Sequence, residues 1–141
     1  MNQRVLVVDD DPITAEFLTR CGDVAKASTM AVLDGASFRR MLDSFLPTTV
    51  VIDILIPDED GIMLLRHLAS QRRRMPIILI SAYSHSYLPA ARRLGEAYGL
   101  DIVDSLAKPI NPLAFAAALH RADNLANKYD GTRPESAPGP R

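Results

Sequence analysis

Three short apolar runs limit most strongly what this chain can fold into. Val and Ile dominate these runs, and each run is four or five residues long and is followed by a polar residue. They cover residues 4–8, 49–52 and 76–80. Runs that are apolar on both faces are typical of central strands in a parallel sheet, because helices cover both sides of such a sheet. Two weaker runs, at residues 28–33 and 102–106, predict two further strands.

Amphipathic stretches with helical spacing separate these runs. Asp11–Pro12 and Asn111–Pro112 are typical of helix starts, and Gly99 predicts the end of a helix. Strands that alternate with helices indicate βα units and a parallel sheet with helices on both faces. The predicted helices cover residues 13–26, 37–45, 62–73, 87–98 and 112–127.

Length and charge narrow the class of protein. The 141 residues suffice for one domain with a buried core, which we place at residues 1–127. Residues 128–141 are rich in Pro, Gly and charge and predict a flexible tail or linker. A formal net charge of −1 gives no overall basic field, so we expect no direct binding to nucleic acid. The sequence shows neither a signal-peptide pattern nor a bilayer-length apolar run, so we expect a cytoplasmic protein without membrane contact.

Polar residues with chemical potential follow the predicted strands. Asp9 and Asp10 follow the first strong run, Asp53 follows the second, and Ser81 follows the third. Lys108 comes after the last predicted strand. The carboxyl ends of parallel strands meet at one edge of the sheet, where functional clefts lie. We therefore expect one site that contains three carboxylates, a hydroxyl and an ammonium group.

This combination of groups favours a divalent metal and phosphoryl chemistry. Three neighbouring carboxylates repel one another unless a cation joins them. Oxygen ligands suit Mg²⁺ or Mn²⁺, whereas zinc prefers His and Cys. A carboxylate can act as the nucleophile that captures a phosphoryl group, and a metal ion neutralises the charge on that group. Lys108 would add a fixed positive charge, and the Ser81 hydroxyl could donate a hydrogen bond.

Four segments resemble the motifs of bacterial two-component response-regulator receiver domains, the family that includes the chemotaxis regulators. They stand in the family's order, and the resemblance extends over residues 4–127. It implies a flavodoxin-like receiver fold: α/β, with a doubly wound, five-stranded parallel sheet flanked by five helices. The receiver domain would occupy residues 1–127. The four motifs are VLVVDDDP at residues 5–12, VVIDILIPDEDG at 50–61, ILISA at 78–82 and LAKP at 106–109.

The resemblance also implies a role for each residue of the cluster. Asp53 would be the phosphoacceptor. The metal ion, Mg²⁺ or alternatively Mn²⁺, would be held by Asp9, Asp10, Asp53 and the backbone carbonyl of Leu55. Pro109 would follow a cis peptide bond. Three further residues would contact the phosphoryl group or keep its pocket open: Lys108, Ser81 and Ala82.

The implied function is that of a phosphoacceptor in two-component signalling. A histidine kinase or phosphotransfer protein would donate the phosphoryl group to Asp53 in a magnesium-dependent reaction. The phosphorylated domain would then modulate a downstream protein or a fused output domain. Such a protein is not an enzyme, beyond catalysing its own phosphorylation and dephosphorylation. The sequence leaves open whether the protein forms a homodimer.

Two departures from the family pattern stand out, and the first keeps a second hypothesis open. Three residues before Lys108 the family usually has an aromatic residue that switches rotamer, but this chain has Ser105. Tyr83 or Tyr87 could substitute for it. The stretch at residues 99–108 is about two residues longer than the family's common form. A pseudo-receiver that acts only as a protein-interaction module is therefore the alternative hypothesis.

A phosphohydrolase with an aspartyl-phosphate intermediate is the competing enzymatic hypothesis. Enzymes of the haloacid-dehalogenase type place a second Asp two residues after the nucleophile, where this chain has Leu55. The sequence also has no obvious cap domain that could hold a substrate. Both features make this hypothesis weaker than that of a receiver.

Overall fold

Strands and helices alternate along the whole described chain. The computed structural model describes residues 3–58, 60–71, 73–82 and 87–132. None of the helices in these segments is long and apolar enough to cross a bilayer. The elements are β1 (Arg4–Val8), α1 (Pro12–Val24), β2 (Ser28–Val32), α2 (Gly35–Phe45), β3 (Thr49–Asp53), α3 (Gly61–Ala69), β4 (Pro76–Ser81), α4 (Tyr87–Ala97), β5 (Asp101–Ala107) and α5 (Pro112–Thr132).

The five strands form one parallel sheet in the order β2-β1-β3-β4-β5. The chain moves outward in one direction from β1 to β2 and then in the other direction from β3 to β5. This reversal makes the sheet doubly wound, with a crevice between the carboxyl ends of β1 and β3. The predicted flavodoxin-like α/β fold is confirmed.

Each face of the sheet carries its own apolar core. Leu6 packs with Phe38 in the core under α2, α3 and α4, whereas Val5 packs with Phe115 in the core under α1 and α5. All of these side chains are fully buried. Alternate residues of one strand thus enter opposite cores, which is the physical reason for runs that are apolar on both faces.

Two helices end four or five residues away from their predicted ends. Helix α3 ends at Ala69 rather than at residue 73. Ser70 closes its last turn, because both the hydroxyl and the N–H of Ser70 donate to backbone carbonyls of that turn. The hydroxyl donates to the carbonyl of His67 at 2.6 Å. Helix α5 continues to Thr132, five residues beyond its predicted end. Tyr129 explains this extension, since its side chain is only 6% exposed and is therefore packed rather than solvated. Residues 128–132 of the predicted tail are thus helical, and residues 133–141 lie outside the described residues.

Strand β5 contains a bulge that accommodates part of the longer stretch at residues 99–108. Ile77 pairs with Ile102, but the next residue, Ile78, pairs with Asp104. Val103 is therefore the extra residue of the bulge. Beyond it the register with β4 is regular up to the carboxyl end of the sheet. The bulge thus absorbs one extra residue before the chain reaches the carboxyl end of the sheet.

Candidate functional site

The sheet places the two buried carboxylates side by side. Val8, the last residue of β1, pairs with Ile52 on the neighbouring strand β3. Asp9 and Asp53 are the next residues along these two strands, so both lie at the crevice where the strand order reverses. Ser81 ends β4 on the other side of β3. The local sequence thus fixes the site through three parallel strands that end at the same edge.

Three carboxylates meet at this edge. Carboxylate oxygens of Asp9, Asp10 and Asp53 all lie within 4.8 Å of one another. Asp9 is 0% exposed and Asp53 is 3% exposed, whereas Asp10 faces solvent. The pocket is therefore closed on the side of the sheet and open on the side of Asp10. This is the grouping that the strand ends predict.

Lys108 binds both buried carboxylates. Its Nζ lies 2.8 Å from Asp9 Oδ2 and 2.9 Å from Asp53 Oδ2. The backbone N–H of Lys108 donates to the carbonyl of Ser81, which fixes the residue after β5 against the end of β4. The Lys108–Pro109 peptide bond is cis, as the family resemblance implies. The predicted convergence of Lys108 on the acidic cluster is confirmed.

Backbone N–H groups fix the remaining oxygens of the two buried carboxylates. Leu55 N–H donates to Asp53 Oδ1 at 3.0 Å, and Asp11 N–H donates to Asp9 Oδ1 at 2.9 Å. Each buried carboxylate is therefore held by one backbone donor and by the shared ammonium group of Lys108. This arrangement orients the carboxylates before any ligand arrives, which lowers the cost of reorganisation in a reaction.

The charges at the site are not balanced. When all groups are ionised, three carboxylates face one ammonium group, which leaves two negative charges in excess. Burial raises the pKa of Asp9, and the charge of Asp53 adds to this effect against the opposing hydrogen bonds of Lys108 and Asp11. Burial alone would lower the pKa of Lys108, but its bonds to Asp9 and Asp53 outweigh burial and hold this pKa above its usual value.

The donor set fits a hard divalent cation. The group contains only carboxylate oxygens, which suit Mg²⁺ and Mn²⁺, and Asp10 leaves one side accessible to water. A bound divalent cation would offset the excess of negative charge and the cost of ionising the buried Asp9. The backbone N–H of Leu55 donates to Asp53, and the family resemblance implies that the carbonyl of Leu55 is an additional ligand.

Several neighbours act as structural residues rather than as chemical groups. Asp11 caps α1 through the N–H of Ile13. Asp60 caps α3, and Gly61 passes so close to β3 that an added Cβ would lie 2.4 Å from the Cα of Ile54. The loop between β3 and α3 is therefore tightly closed.

The sequence does not reveal one contact near the site. The carboxylate of Asp58 accepts hydrogen bonds from the backbone of Gly35 and Ala36, at the start of α2. No sequence spacing indicates this contact, because the partners lie 22 and 23 residues apart along the chain.

Two of the three residues considered for the switch, Ser105 and Tyr87, lie within the described residues. Ser105 is half-buried on β5, where it pairs with Leu79. Tyr87 is 51% exposed at the start of α4 and lines an apolar groove together with Leu55. Tyr83, the other aromatic residue considered, lies outside the described residues.

The fold and the acidic site define an α/β signalling domain of the receiver type, and comparison with known proteins agrees. The family model described as "Response regulator receiver domain" matches residues 5–120. The chain therefore belongs to the response regulator receiver domain family.

Curated relatives show how receivers of this kind occur within longer proteins. The transcriptional regulatory protein GltR of Pseudomonas aeruginosa is 35% identical over 117 residues, which are 82% of this chain and 46% of that protein. Protein-glutamate methylesterase/protein-glutamine glutaminase 2 of Koribacter versatilis is 32% identical over 108 residues, which are 75% of this chain and 29% of that protein. The chain thus spans less than half the length of each of these relatives.

A solved structure supports the fold. The signal receiver domain of an HD domain-containing protein from Pseudomonas fluorescens Pf-5 superimposes with a TM-score of 0.80. The comparison covers 91% of this chain and 99% of that chain, at 21% sequence identity. At this level of identity the likeness concerns the fold alone.

Proposed function

We propose that this domain is a phosphoacceptor of two-component signalling, in which Asp53 receives a phosphoryl group in a magnesium-dependent reaction. The donor is a histidine kinase or a phosphotransfer protein. One observation supports this proposal above all: Asp53 is held by Leu55 N–H on one oxygen and by Lys108 on the other, beside two further carboxylates. A nucleophile, a metal-binding acidic pair and a cation for the phosphoryl oxygens thus lie in one pocket.

The geometry supports a simple displacement at phosphorus. A carboxylate oxygen of Asp53 forms the new bond to phosphorus, while the bond to the donor's leaving group breaks. The leaving group takes away the electron pair of that bond, and the product is an acyl phosphate. Lys108, which is 18% exposed and already contacts Asp53, stabilises the negative phosphoryl oxygens. The fixed orientation of Asp53 lowers the entropic cost of the attack.

The acidic pair supplies the metal site. Asp9, Asp10 and Asp53 hold Mg²⁺, or alternatively Mn²⁺, together with the backbone carbonyl of Leu55. When bound, the ion neutralises charge on the phosphoryl group. Ser81, buried at the end of β4, donates a hydrogen bond to the phosphoryl group, and the small side chain of Ala82 leaves room for it.

The domain acts as a signalling module rather than as an enzyme with its own substrate. Its chemistry is limited to its own phosphorylation and dephosphorylation. The methylesterase relative matches the chain over only 29% of that relative's length, so the match gives no reason to assign esterase activity here. The proposed partners are the phosphodonor and a downstream protein or a fused output domain.

The alternative of a pseudo-receiver is not favoured. A pseudo-receiver needs no phosphorylation chemistry, yet Asp9, Asp53 and Lys108 form a tightly bonded cluster with Asp10 at its rim. Ser105 bears on how the signal is transmitted, not on whether Asp53 can be phosphorylated, because Ser105 is not among the residues that contact Asp53 in the described bonds.

Intact mass measurement tests the proposal. The purified protein is incubated with acetyl phosphate, a small phosphodonor, with Mg²⁺ or with a chelator. We expect a gain of one phosphoryl mass only with Mg²⁺, and no gain in the Asp53→Asn variant. A wild-type protein that gains no mass with Mg²⁺ would favour the pseudo-receiver. Turnover of small phosphate esters would instead revive the phosphohydrolase.

A further inference from the structure

The start of helix α2 is capped in an unusual way. The first four N–H groups at the start of a helix, those of the N-cap residue and of the three residues after it, have no partner within the helix. In α2 the three after the N-cap belong to Gly35, Ala36 and Ser37, because the first bond within the helix joins Phe38 N–H to the carbonyl of Asp34. Asp34, the N-cap residue, accepts the N–H of Ser37 at 2.7 Å and a further hydrogen bond from the Ser37 side chain.

The other two N–H groups donate to a residue from a distant segment. Asp58 accepts Gly35 N–H with both carboxylate oxygens, at 3.0 and 3.1 Å, and Ala36 N–H with Oδ2 at 3.4 Å. A negative charge at a helix N-terminus is also favoured by the helix dipole. Helices α1, α3 and α5 likewise use an Asp or Asn of their own cap. Within the described residues, α2 has the long-range contact of Asp58 in addition to its own cap.

Asp58 lies in the loop that carries the backbone of the phosphorylation site. This loop runs from Asp53, at the end of β3, to Gly61, at the start of α3. Its base is closed by the bond from Gly61 N–H to the carbonyl of Ile54 and by a bridge between Leu55 and Asp60. Its first turn presents Leu55 N–H to Asp53. The contact of Asp58 with α2 fixes the loop at a second point, three residues after Leu55.

We propose that Asp58 is a positioning residue: by clasping the start of α2, it holds the β3–α3 loop so that the backbone of Leu55 stays at Asp53 and the metal site keeps its shape. This inference rests on the proposed function. It assigns no contact between Asp58 and the ion or the phosphoryl group. The effect of Asp58 passes through the loop backbone.

Two variants separate this role from simple capping. Asp58→Ala and Asp34→Ala each remove one carboxylate from the same helix start, but only Asp58 belongs to the loop. Binding of Mg²⁺ to the unphosphorylated protein is measured by isothermal titration calorimetry. We expect the Kd of Asp58→Ala to rise about tenfold, as for other residues that orient metal ligands from behind. We expect the Kd of Asp34→Ala to stay within about twofold of wild type on the same argument.

A third variant and a second readout complete the test. Asp58→Asn keeps one oxygen that can accept a hydrogen bond, so its Kd should fall between those of wild type and Asp58→Ala. Amide hydrogen exchange at Leu55 and Gly35, without Mg²⁺, should be faster in Asp58→Ala than in wild type. With acetyl phosphate, Asp58→Ala should need more Mg²⁺ for half-maximal phosphorylation and should approach the wild-type rate at saturation.

The outcomes distinguish a failure of the positioning role of Asp58 from a failure of the proposed phosphoacceptor function. Equal Mg²⁺ affinity in wild type and Asp58→Ala, or equal weakening in Asp34→Ala, overturns the positioning role and leaves the phosphoacceptor intact. If wild type binds no Mg²⁺, the proposed function fails. In that case, amide hydrogen exchange at Leu55 still tests whether Asp58 holds the loop. An exchange rate that is unchanged in Asp58→Ala overturns this positioning role.

Discussion

Two charged clusters lie at opposite ends of the same sheet, and they are built differently. At the carboxyl end, Asp9 and Asp53 share Lys108, whose side chain is 18% exposed. At the amino end, Arg74 pairs with Asp101 at 2.9 Å, with side chains that are 58% and 28% exposed. We call these the carboxyl-end cluster (Asp9, Asp10, Asp53 and Lys108) and the amino-end cluster (Arg74, Asp101 and Tyr129).

The amino-end cluster is balanced and fastens a helix. One positive charge meets one negative charge in contact with water, an arrangement that contributes about 0–1 kcal/mol. Tyr129 from α5 joins the pair: its hydroxyl donates to Asp101, and its ring lies 4.4 Å from the guanidinium carbon of Arg74. The cluster therefore holds the end of α5 against the starts of β4 and β5.

The carboxyl-end cluster is unbalanced, and its members Asp9 and Asp53 are buried. Its excess of negative charge lies where burial raises the pKa of Asp9, so ionising the cluster costs folding free energy. Charge balance and burial therefore differ between the two clusters: the balanced, exposed one fastens a helix, whereas the unbalanced, buried one is the site at which we propose metal binding and phosphorylation.

Loss of the phosphoacceptor should abolish phosphorylation without weakening the fold. Asp53→Asn removes the nucleophile and one of the crowded charges, while Asp9 still pairs with Lys108. We expect no gain of phosphoryl mass and no decrease in the free energy of unfolding in the absence of Mg²⁺. Asp101→Asn, the matched change in the amino-end cluster, should leave phosphorylation intact. A clear destabilisation by Asp53→Asn would show that the cluster serves stability.

Removing the positively charged side chain should lower the free energy of unfolding by different amounts in the two clusters. Lys108→Met leaves the fully buried Asp9 without its counter-charge and should lower the free energy of unfolding by about 3 kcal/mol at neutral pH. Arg74→Met breaks an exposed pair and should cost about 1 kcal/mol or less. Chemical denaturation of both variants without Mg²⁺ measures the difference. Equal costs would remove the distinction between the clusters.

Truncation of Tyr129 should destabilise the domain and spare its chemistry. Tyr129 is only 6% exposed in wild type. Tyr129→Ala removes this buried ring and should lower the free energy of unfolding by about 2 kcal/mol. Tyr129→Phe keeps the ring and loses the bond to Asp101, with an expected cost of about 1 kcal/mol. Both variants should be phosphorylated at the wild-type rate. A slower rate would link the amino-end cluster to the site.

The pH dependence of the free energy of unfolding should reveal the cost of ionising the buried Asp9. Because the pKa of Asp9 is raised above 3.8, the folded state holds this proton more tightly than the unfolded state does. The cost of ionising Asp9 is fully present above the raised pKa and disappears as the pH falls towards 3.8. The stability of wild type relative to Asp9→Asn should therefore increase from pH about 7 to pH about 4, on this linkage. Denaturation at both pH values measures it, and an opposite trend contradicts the assignment.

The strands and the members of the site could be predicted from sequence because their signals are local. Runs such as residues 4–8 carry apolar residues for both cores, and each strand end carries its polar residue directly after it. Since parallel strands end at one edge, their parallel orientation places Asp9, Asp53 and Ser81 at the same edge of the sheet.

The features that sequence reasoning missed depend on contacts between distant residues. Helix α5 extends past residue 127 because Tyr129 reaches Asp101, 28 residues away in sequence. The clasp of Asp58 on Gly35 spans 23 residues. The bulge at Val103 follows from the pairing of β5 with β4, which composition alone does not fix.

Chemical trapping of the phosphoryl group identifies which aspartate of the site receives it. Protein treated with acetyl phosphate and Mg²⁺ is reduced with borohydride, which converts an aspartyl phosphate to homoserine, and the modified residue is located by peptide mapping. We predict homoserine at position 53 alone, and none when Mg²⁺ is chelated. Homoserine at position 9 or 10, or its absence from position 53, would contradict the assignment of Asp53 as the phosphoacceptor of this site.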